Sequence, residues 1–311
     1  MKMKIREFEA NSRVQTLLLV GQVTSGVTNS GSPYLSVTFR DNTGTIDGKL
    51  WDVKPAQQEI IKSGTVVEVY ADVIMYRNNL QLKIMDVREV DNSELNMGDF
   101  ILGSPVPVEK LRQTIQDAID NIDNFEIKAI VSAIYQKYDK EIYSSPAAAK
   151  NHHEFYGGLA THIAGMLNLA NTVCDLYPYL DRDLLCAGVL LHDIGKIKEL
   201  GGLSVTEYTL EGKLLGHISI SQTMVQETAD ELGIEGEMVT LLRHMVLAHH
   251  GQYEYGSPVL PATLEAEALH YIDDFDARMT MIQKELDKIR PGEFTSRIFS
   301  LDNRIFYKPK K

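Results

Sequence analysis

The chain has 311 residues, enough for two domains of ordinary size, and its 44% apolar and 24% charged residues exclude wholesale disorder. No run of about 18 or more apolar residues occurs, so we predict no membrane span and no membrane partner. The beginning, MKMKIREFEANS, lacks the apolar stretch of a signal peptide, and Cys174 and Cys186 lie in apolar segments as core thiols do. A cytoplasmic location is therefore expected.

The net charge of −12 is unevenly distributed along the chain. Residues 1–90 contain 11 Lys and Arg against 10 Asp and Glu, whereas residues 91–311 contain 20 against 33. The acidity lies in the second part, where carboxylates can ligate cations or keep a helical surface solvated. The balanced first part is compatible with nucleic-acid binding.

The first ninety residues are predicted to form strands. A β-rich run over 14–20 ends at Gly21, and YLSVTFRD then alternates with Phe39 on its core face. The turn DNTG and the strand TIDGKLW follow, and residues 55–62 form a helix-like stretch. TVVEVYADVIMY and LQLKIMDVREV are two further strands. Three strands, a short helix and two strands predict a small five-stranded barrel of the OB type.

Glycine and proline recur within residues 91–107, and we interpret this stretch as a linker. The apolar period then becomes helical, as in VEKLRQTIQDAIDNI, and helices are predicted over 126–138, 159–176, 182–192, 217–232, 236–249 and 261–289. The expected fold class is multidomain α and β, with an OB-type barrel over 1–90 and an all-α domain over 108–311. Amphipathic helices over 108–138 leave a homo-oligomer open.

All nine histidines lie after residue 151, and several fall where a predicted helix begins or ends. His162 and His217 stand at helix beginnings, whereas His192, His249 and His250 stand at helix ends. Helix ends can converge on one cleft, so these side chains are candidates for a metal site. Neutral imidazoles with carboxylates suit Mn, Fe, Co or Zn rather than Ca, which prefers oxygen ligands.

The order of these residues resembles the HD-domain superfamily of metal-dependent phosphohydrolases, whose motif is a His, a His-Asp pair and a distant Asp. The resemblance places that motif on His162, His192, Asp193 and Asp273. Members that hold two metals add two histidines, which match His217 and His249, and Asp193 would then bridge the metals. Asp273 is favoured over the next two carboxylates because DDFDA fits the superfamily's D-x-x-D-A with the first Asp as ligand.

Longer strings extend the resemblance over almost the whole chain. LSVTFRDNTGTIDGKLWD, HHEFYGGLATH, LLHDIGK, HMVLAHHGQYEYGSP and the closing LDNRIFYKP look like the YhaM family of 3′-to-5′ exoribonucleases. This resemblance implies metal-dependent hydrolysis of single-stranded RNA to nucleoside 5′-monophosphates, in RNA degradation, with single-stranded DNA left open as a substrate. One or two divalent ions are expected, with Mn favoured and Mg, Fe, Co or Zn as alternatives.

Two other functions stay open. Cyclic-dinucleotide phosphodiesterases of the superfamily carry Gly-Tyr-Pro after the paired histidines, where this chain has Gly256-Ser257-Pro258. A nucleotide or cyclic-dinucleotide phosphohydrolase is therefore the alternative enzyme. The third hypothesis is a nucleic-acid-binding module whose HD site has a structural or regulatory role.

Three residues are predicted to act in catalysis: Asp193, Lys196 and His250. Lys196 would neutralise a non-bridging phosphate oxygen as a point charge. Adjacent helical residues point about 100° apart, so His250 would diverge from His249 and contact phosphate or support a ligand. Weaker candidates for phosphate contact are His152, His153 and Arg243. Activated water would attack the terminal phosphorus, and the 3′ oxygen of the preceding nucleotide would leave.

The barrel would bind the substrate, because OB folds hold single strands with basic grooves and aromatic platforms. The candidate nucleic-acid contacts are Tyr34, Arg40, Lys49, Trp51, Tyr76, Arg77 and Lys83. For Trp51, a position in the core and a role in base stacking are equally expected. Tyr34, Tyr76 and Arg77 lie near strand ends or turns, which favours a role in binding.

Overall fold

A computed structural model of the chain describes residues 3–28, 31–76, 79–91, 95, 97–100, 103–147, 155–201 and 207–310. The described residues divide into two compact units, the first within residues 3–103 and the second within residues 104–201 and 208–310. The finer domain and linker bounds of the sequence analysis stay a prediction. Within the described ranges, no helix is both long enough and apolar enough to span a bilayer.

The first unit is a closed five-stranded barrel. Its elements are β1 (Arg13–Val27), β2 (Pro33–Asp41), β3 (Gly44–Trp51), α1 (Pro55–Ile60), β4 (Val66–Tyr76) and β5 (Asn79–Glu89). The strand order is β1-β2-β3-β5-β4, closed by antiparallel pairing of β1 with β4, and β3 pairs with β5 in parallel. This order confirms the predicted OB-type barrel.

Alternation of side chains fills the barrel interior. Leu35, Val37 and Phe39 of β2 are all buried, as are Ile46 and Leu50 of β3, because successive strand residues point to opposite faces. Phe39 is fully buried, which confirms its predicted core position. The outward residues of the same strands are thereby left for solvent or for a ligand.

The first strand is longer than predicted. β1 passes through Gly21 and continues to Val27, with a register shift between Val20 and Val23. A Cβ on Gly21 would lie 2.8 Å from the Thr38 carbonyl oxygen. This glycine permits a close strand approach at the irregularity, so its interpretation as a strand end was wrong.

The second unit is helical. Its helices are α2 (Val108–Asp120), α3 (Phe125–Lys137), α4 (Asp139–Ser144), α5 (Gly158–Leu176), α6 (Arg182–Leu191), α7 (Lys196–Glu199), α8 (Leu210–Leu232), α9 (Glu237–Ala248) and α10 (Leu264–Asp287). Two short strands, β6 (Leu200–Gly201) and β7 (Glu207–Tyr208), pair with each other. The predicted all-α fold of this region is confirmed apart from that pair.

The helices pack around one apolar core. Leu111, Ile115 and Ile122 of the predicted stripe are buried, and both free cysteines lie in the same core. Helix α8 is bent at Gly216, where φ is 71° and ψ is 155°. The bend separates a first turn from the helix that was predicted to begin at residue 217.

Candidate metal centre and nucleic-acid interface

Several helix ends of the helical unit meet at one cluster of side chains. His162 lies near the start of α5, His192 and Asp193 follow α6, His217 follows the bend in α8, His249 and His250 follow α9, and Asp273 lies in α10. The convergence expected from the positions of the histidines is therefore present in the fold.

One cluster, the first donor group, consists of His162, His192 and Asp193, and all three side chains are buried. Their candidate ligand atoms lie within 4.8 Å of one another. The Nε2 atoms of His162 and His192 are 3.4 Å apart and lie 3.8 and 3.4 Å from Asp193 Oδ2. Asp273 faces the same group, because its Oδ1 is 3.2 Å from His162 Nε2.

A second donor group consists of His217, His249 and His250. Asp193 Oδ1 lies 3.4 Å from His217 Nε2 and 3.8 Å from His249 Nε2. The two oxygens of Asp193 thus face different groups, Oδ2 the first and Oδ1 the second. This is the arrangement that a bridging carboxylate requires.

Three buried atoms at this cluster have no hydrogen-bond partner among the described residues: Asp193 Oδ1, His217 Nε2 and His249 Nε2. A buried polar atom without a partner is costly, so a ligand is expected to satisfy these atoms. Nitrogen and oxygen atoms at these separations can share one cation, with each ligand atom about 2.1 Å from the metal. The mixture of nitrogen and oxygen suits a divalent transition metal better than Ca.

Each of the five imidazoles is held through its Nδ1 atom. The acceptors, at 2.7–3.0 Å, are Asp276 Oδ2 for His162, the Val189 carbonyl for His192, Glu199 Oε1 for His217, the Val246 carbonyl for His249 and the Tyr255 carbonyl for His250. An acceptor fixes the proton on Nδ1, which leaves the lone pair of Nε2 for a metal.

Two of these acceptors, Glu199 and Asp276, were missed by the sequence analysis. Glu199 Oε1 also accepts a hydrogen bond from the backbone N–H of His217, at 3.0 Å. Asp276 follows Asp273 by three residues in α10, so both carboxylates lie on one side of the helix. That spacing was a readable signal, whereas Glu199 reaches His217 only through the packing of α7 against α8.

The local electrostatics favour metal-binding protonation states for Asp193, His249 and His250, whereas the pKa of His162 is raised to about 9 because hydrogen bonds to Asp273 and Asp276 outweigh its burial. Burial lowers the pKa of His249 well below its usual value, and the neighbouring His250 and His192 add to this effect. Burial also lowers the pKa of His250. Burial alone would raise the pKa of Asp193, but Lys196 and His192 outweigh it and hold the pKa well below its usual range. Neutral imidazoles beside an ionised carboxylate are the forms that bind metal.

His250 lies closer to the other candidate ligands than helical geometry suggested. Helix α9 ends at Ala248, and Gly251 adopts a φ of 74°. His249 still has helical dihedral angles, with φ −62° and ψ −28°, so the chain departs from the helix only after it. The ring centroids of His249 and His250 are 4.3 Å apart, and His250 belongs to the second donor group.

A cavity of about 350 Å³ adjoins the cluster. It is lined by Lys196, His250, Tyr255, His270, Asp273, Asp274, Ala277, Arg278, Met281, Ser300 and Leu301. Lys196 Nζ lies 2.5 Å from Asp193 Oδ2. Burial opposes the charge of Lys196, but Asp193 outweighs it and raises the pKa of the ammonium. Arg278, which the sequence analysis missed, donates to Asp274 Oδ2 at 2.6 Å.

The other phosphate candidates are not brought to this cluster by any described contact. Arg243 donates hydrogen bonds to the side chains of Gln222 and Gln226, so its guanidinium joins α9 to α8. His152 and His153 lie outside the described residues.

On the barrel, three candidates form an aromatic and basic platform. Tyr34 of β2 pairs with Trp51 of β3, and their ring centroids are 5.1 Å apart. Lys49 precedes Trp51 by two residues on the same face, with its Nζ 4.8 Å from the Tyr34 ring and 5.3 Å from the Trp51 ring. Trp51 is 44% exposed, so its ring is available to a ligand.

The remaining barrel candidates differ in their surroundings. Exposed Lys83 is the β5 neighbour of Lys49, which extends the basic surface, and Tyr76 is 49% exposed at the end of β4. Arg40 is only half-buried, but its Nε is buried without a hydrogen bond to any described residue. Arg77 lies outside the described residues.

Comparison with known proteins agrees with both halves of this description. The model of the HD domain matches residues 159–278, and that of the OB-fold nucleic acid binding domain matches residues 17–90. Among solved structures, the second OB-fold domain of replication protein A from Methanococcus maripaludis covers 30% of this chain and 98% of its own length, at 22% identity. Its TM-score is 0.25.

Curated relatives match the chain over nearly its whole length. The 3′-5′ exoribonucleases YhaM of Bacillus velezensis and Bacillus subtilis are each 46% identical over 302 residues, which cover 97% of this chain and 96% of the relative. The YhaM of a Geobacillus species is 45% identical over 306 residues, 98% of this chain and 94% of its own length. Identity of this extent, across both the barrel and the helical unit, assigns the chain to the YhaM family of 3′-5′ exoribonucleases.

Proposed function

We propose that the protein is a metal-dependent 3′-to-5′ exoribonuclease that hydrolyses single-stranded RNA to nucleoside 5′-monophosphates. The observation that carries the proposal is the buried carboxylate of Asp193, whose two oxygens face two separate donor groups at 3.4–3.8 Å. The curated relatives named as 3′-5′ exoribonucleases support the polarity and the substrate. The donor atoms support the dependence on metal.

His162, His192, Asp193 and Asp273 would hold a cation at the first donor group, and His217 and His249 would hold one at the second. One or two ions fit this assignment, and we favour Mn, with Mg, Fe, Co and Zn as alternatives. A bound divalent cation would polarise the scissile phosphodiester and offset its negative charge. His250 is near enough to the second group to serve as a further ligand or as a phosphate contact.

The chain's own residues would orient the substrate beside this centre. Lys196 lies in the cavity wall, where its ammonium can pair with a non-bridging phosphate oxygen. Arg278 lies in the same wall, held by Asp274, and its planar guanidinium suits a phosphate or ribose oxygen of the terminal nucleotide. In the reaction, the oxygen of water bonds to phosphorus, the bond from phosphorus to the 3′ oxygen breaks, and that oxygen takes a proton.

The barrel would hold the RNA upstream of the scissile bond. Tyr34 and Trp51 supply π-faces that accept any base, and Lys49 and Lys83 supply positive charge for the backbone. This mode of binding is tolerant of sequence and does not require a 2′-hydroxyl, so single-stranded DNA is included in the proposal as a second substrate. A cytoplasmic location and a homo-oligomeric assembly belong to the proposal as well.

The test uses single-stranded RNA labelled at its 5′ end, with Mn and then with a chelator. We expect a ladder that shortens from the 3′ end, release of nucleoside 5′-monophosphates, and loss of both with the chelator. Asp193→Asn should abolish release, because the variant weakens a ligand shared by both groups. Asp230→Asn, a matched change on the exposed surface of α8, should leave release unchanged. Undiminished release by Asp193→Asn would overturn the proposal.

A further inference from the structure

The C-terminal residues differ in charge from the rest of the helical region. Residues 288–310 contain six Lys and Arg against two Asp and Glu, whereas residues 91–287 contain 13 against 31. An acidic surface repels a nucleic-acid backbone, but a basic segment attracts it. The basic segment is therefore the part of this region with charge suited to RNA.

Residues 292–308 of this segment form a hairpin, which we call the C-terminal hairpin and which contains three Lys and Arg against two Asp and Glu. Antiparallel bridges join Phe294 to Tyr307 and Ile298 to Arg304. Lys308 fixes the base of the hairpin, because its Nζ donates to the carbonyls of Leu286 and Ile289 at the end of α10. These contacts hold the hairpin in a defined position on the helical unit.

The tip of the C-terminal hairpin forms part of the wall of the cavity beside the two donor groups. Ser300 and Leu301 both line that cavity. Leu301 is 1% exposed, and the Ser300 hydroxyl lies 3.3 Å from Met281 Sδ of α10. The hairpin tip would therefore adjoin a substrate in the cavity.

Exposed aromatic and basic side chains lie along the hairpin. Phe299, next to Ser300 at the tip, is 87% exposed, and the exposed Phe294 and Tyr307 rings, with centroids 5.0 Å apart, lie at the base. The exposed Arg297 precedes Phe299 by two residues, and exposed Arg304 lies across the hairpin. Exposed aromatic rings interleaved with arginines are the combination that binds single strands, by stacking on bases and by pairing with phosphates.

We propose that the C-terminal hairpin is a second contact for single-stranded RNA, with Phe299 stacked on a base next to the nucleotide in the cavity. The inference rests on the proposed function, since it assumes that RNA enters this cavity. A second copy of the chain is a poorer occupant. Phe299 adjoins a residue of the cavity wall, so a folded partner there would obstruct the substrate.

The first test uses fluorescence, because Trp51 is the only tryptophan of the chain. The full-length double variant Trp51→Phe, Phe299→Trp has its single reporter on the hairpin. Titration with a single-stranded RNA of about a dozen nucleotides, in chelator, should quench that reporter saturably through stacking. The control is Trp51→Phe, Tyr179→Trp, since Tyr179 is 69% exposed and follows the far end of α5 from His162. Its emission should not change.

The second test measures the salt dependence of RNA binding. Each lost phosphate contact on a single strand lowers the slope of log K against log salt by about 0.7. The double variant Arg297→Ala, Arg304→Ala should therefore lower the slope by about 1.4. Lys140→Ala with Lys213→Ala, two exposed lysines elsewhere in the helical unit, should leave it unchanged. A purely structural role of the arginines would not produce this difference.

The outcomes separate the two proposals. If the wild-type protein releases no mononucleotides, the proposed function fails. If it releases them but the hairpin reporter is not quenched and the salt slope is unchanged, only the hairpin proposal is overturned. If the reporter is instead quenched by raising the protein concentration in the absence of RNA, the hairpin forms a contact between copies of the chain. That result would also overturn the hairpin proposal.

Discussion

At the scale of single residues, Glu199 controls His217 through two hydrogen bonds to one oxygen. The ring Nδ1–H and the backbone N–H of His217 both donate to Glu199 Oε1, at 3.0 Å each. The carboxylate therefore fixes both the tautomer and the position of the ring. Asp276 fixes the tautomer of His162 in the same way, although through the ring alone.

Glu199→Gln should weaken metal binding at the second donor group by about 10- to 100-fold, the usual effect of losing an outer carboxylate. The amide oxygen can still accept from the backbone, so the fold is preserved while the support for the neutral tautomer weakens. Calorimetric titration of the metal-free protein with Mn measures the change. Glu267→Gln, on the exposed side of α10, is the matched control. Equal affinities in both variants would contradict a positioning role.

The two positioning carboxylates differ in how far the sequence could reveal them. Asp276 follows Asp273 by one helical turn, so a helix over this region already directs both to the same side. Glu199 is close to His217 only because α7 packs against α8, and its position 18 residues before His217 gives no periodic signal. Tertiary docking of short elements is what single-sequence patterns do not contain.

At the scale of elements, the candidate metal centre depends on a very close approach of the turn before α7 to α8. The Gly195 N–H donates to the Ser221 hydroxyl at 2.7 Å. A Cβ on Gly195 would lie 2.4 Å from the His217 carbonyl oxygen and 2.8 Å from the Ser221 nitrogen. Backbone atoms cannot move aside as a flexible side chain can, so glycine is required at this position.

Gly195→Ala should destabilise the protein by about 1–3 kcal/mol, the usual range for forcing extra atoms into a packed interior. The added methyl group would separate α8 from the turn and displace His217. Urea unfolding followed by circular dichroism at 222 nm measures the loss. Gly103→Ala is the control, because no atom in the described part of the chain lies within 4 Å of a Cβ there, chain neighbours aside. A loss no greater than in the control would contradict the packing argument.

Long periodic elements were predicted well, and irregular ones were not. The predicted helices over 159–176 and 182–192 correspond to α5 and α6 because their apolar residues repeat at the helical period. Helix α7 has only four residues, so its sequence cannot show a helical repeat of apolar residues. Gly21 resembled a strand end because glycine commonly ends strands, but here it permits two backbones to approach.

At the scale of the whole molecule, the two units give separate optical signals. The only tryptophan, Trp51, lies on β3 of the barrel, whereas the helices that dominate circular dichroism at 222 nm lie in the other unit. The proposed metal ligands all belong to the helical unit. Metal binding can therefore be followed in one unit while the other serves as an internal reference.

A saturating divalent metal should stabilise the helical unit. At 100 times its dissociation constant, a ligand that binds only the folded state adds about 2.7 kcal/mol to the free energy of unfolding. Thermal melts at 222 nm with Mn and with a chelator should differ accordingly, while the Trp51 emission should shift less. Asp193→Asn should remove most of the difference. Identical melts of the wild-type protein in Mn and in chelator would contradict metal binding at this site.

If both donor groups hold a cation, the carboxylate of Asp193 would make their affinities interdependent, because its two oxygens face different groups. A cation at the first group would withdraw electron density from Oδ2 and change the potential at Oδ1. Linkage requires such an effect to be reciprocal, so each cation would alter the affinity for the other by the same factor. The two positions would then be one cooperative unit, and no substitution of Asp193 would change the occupancy of one position alone.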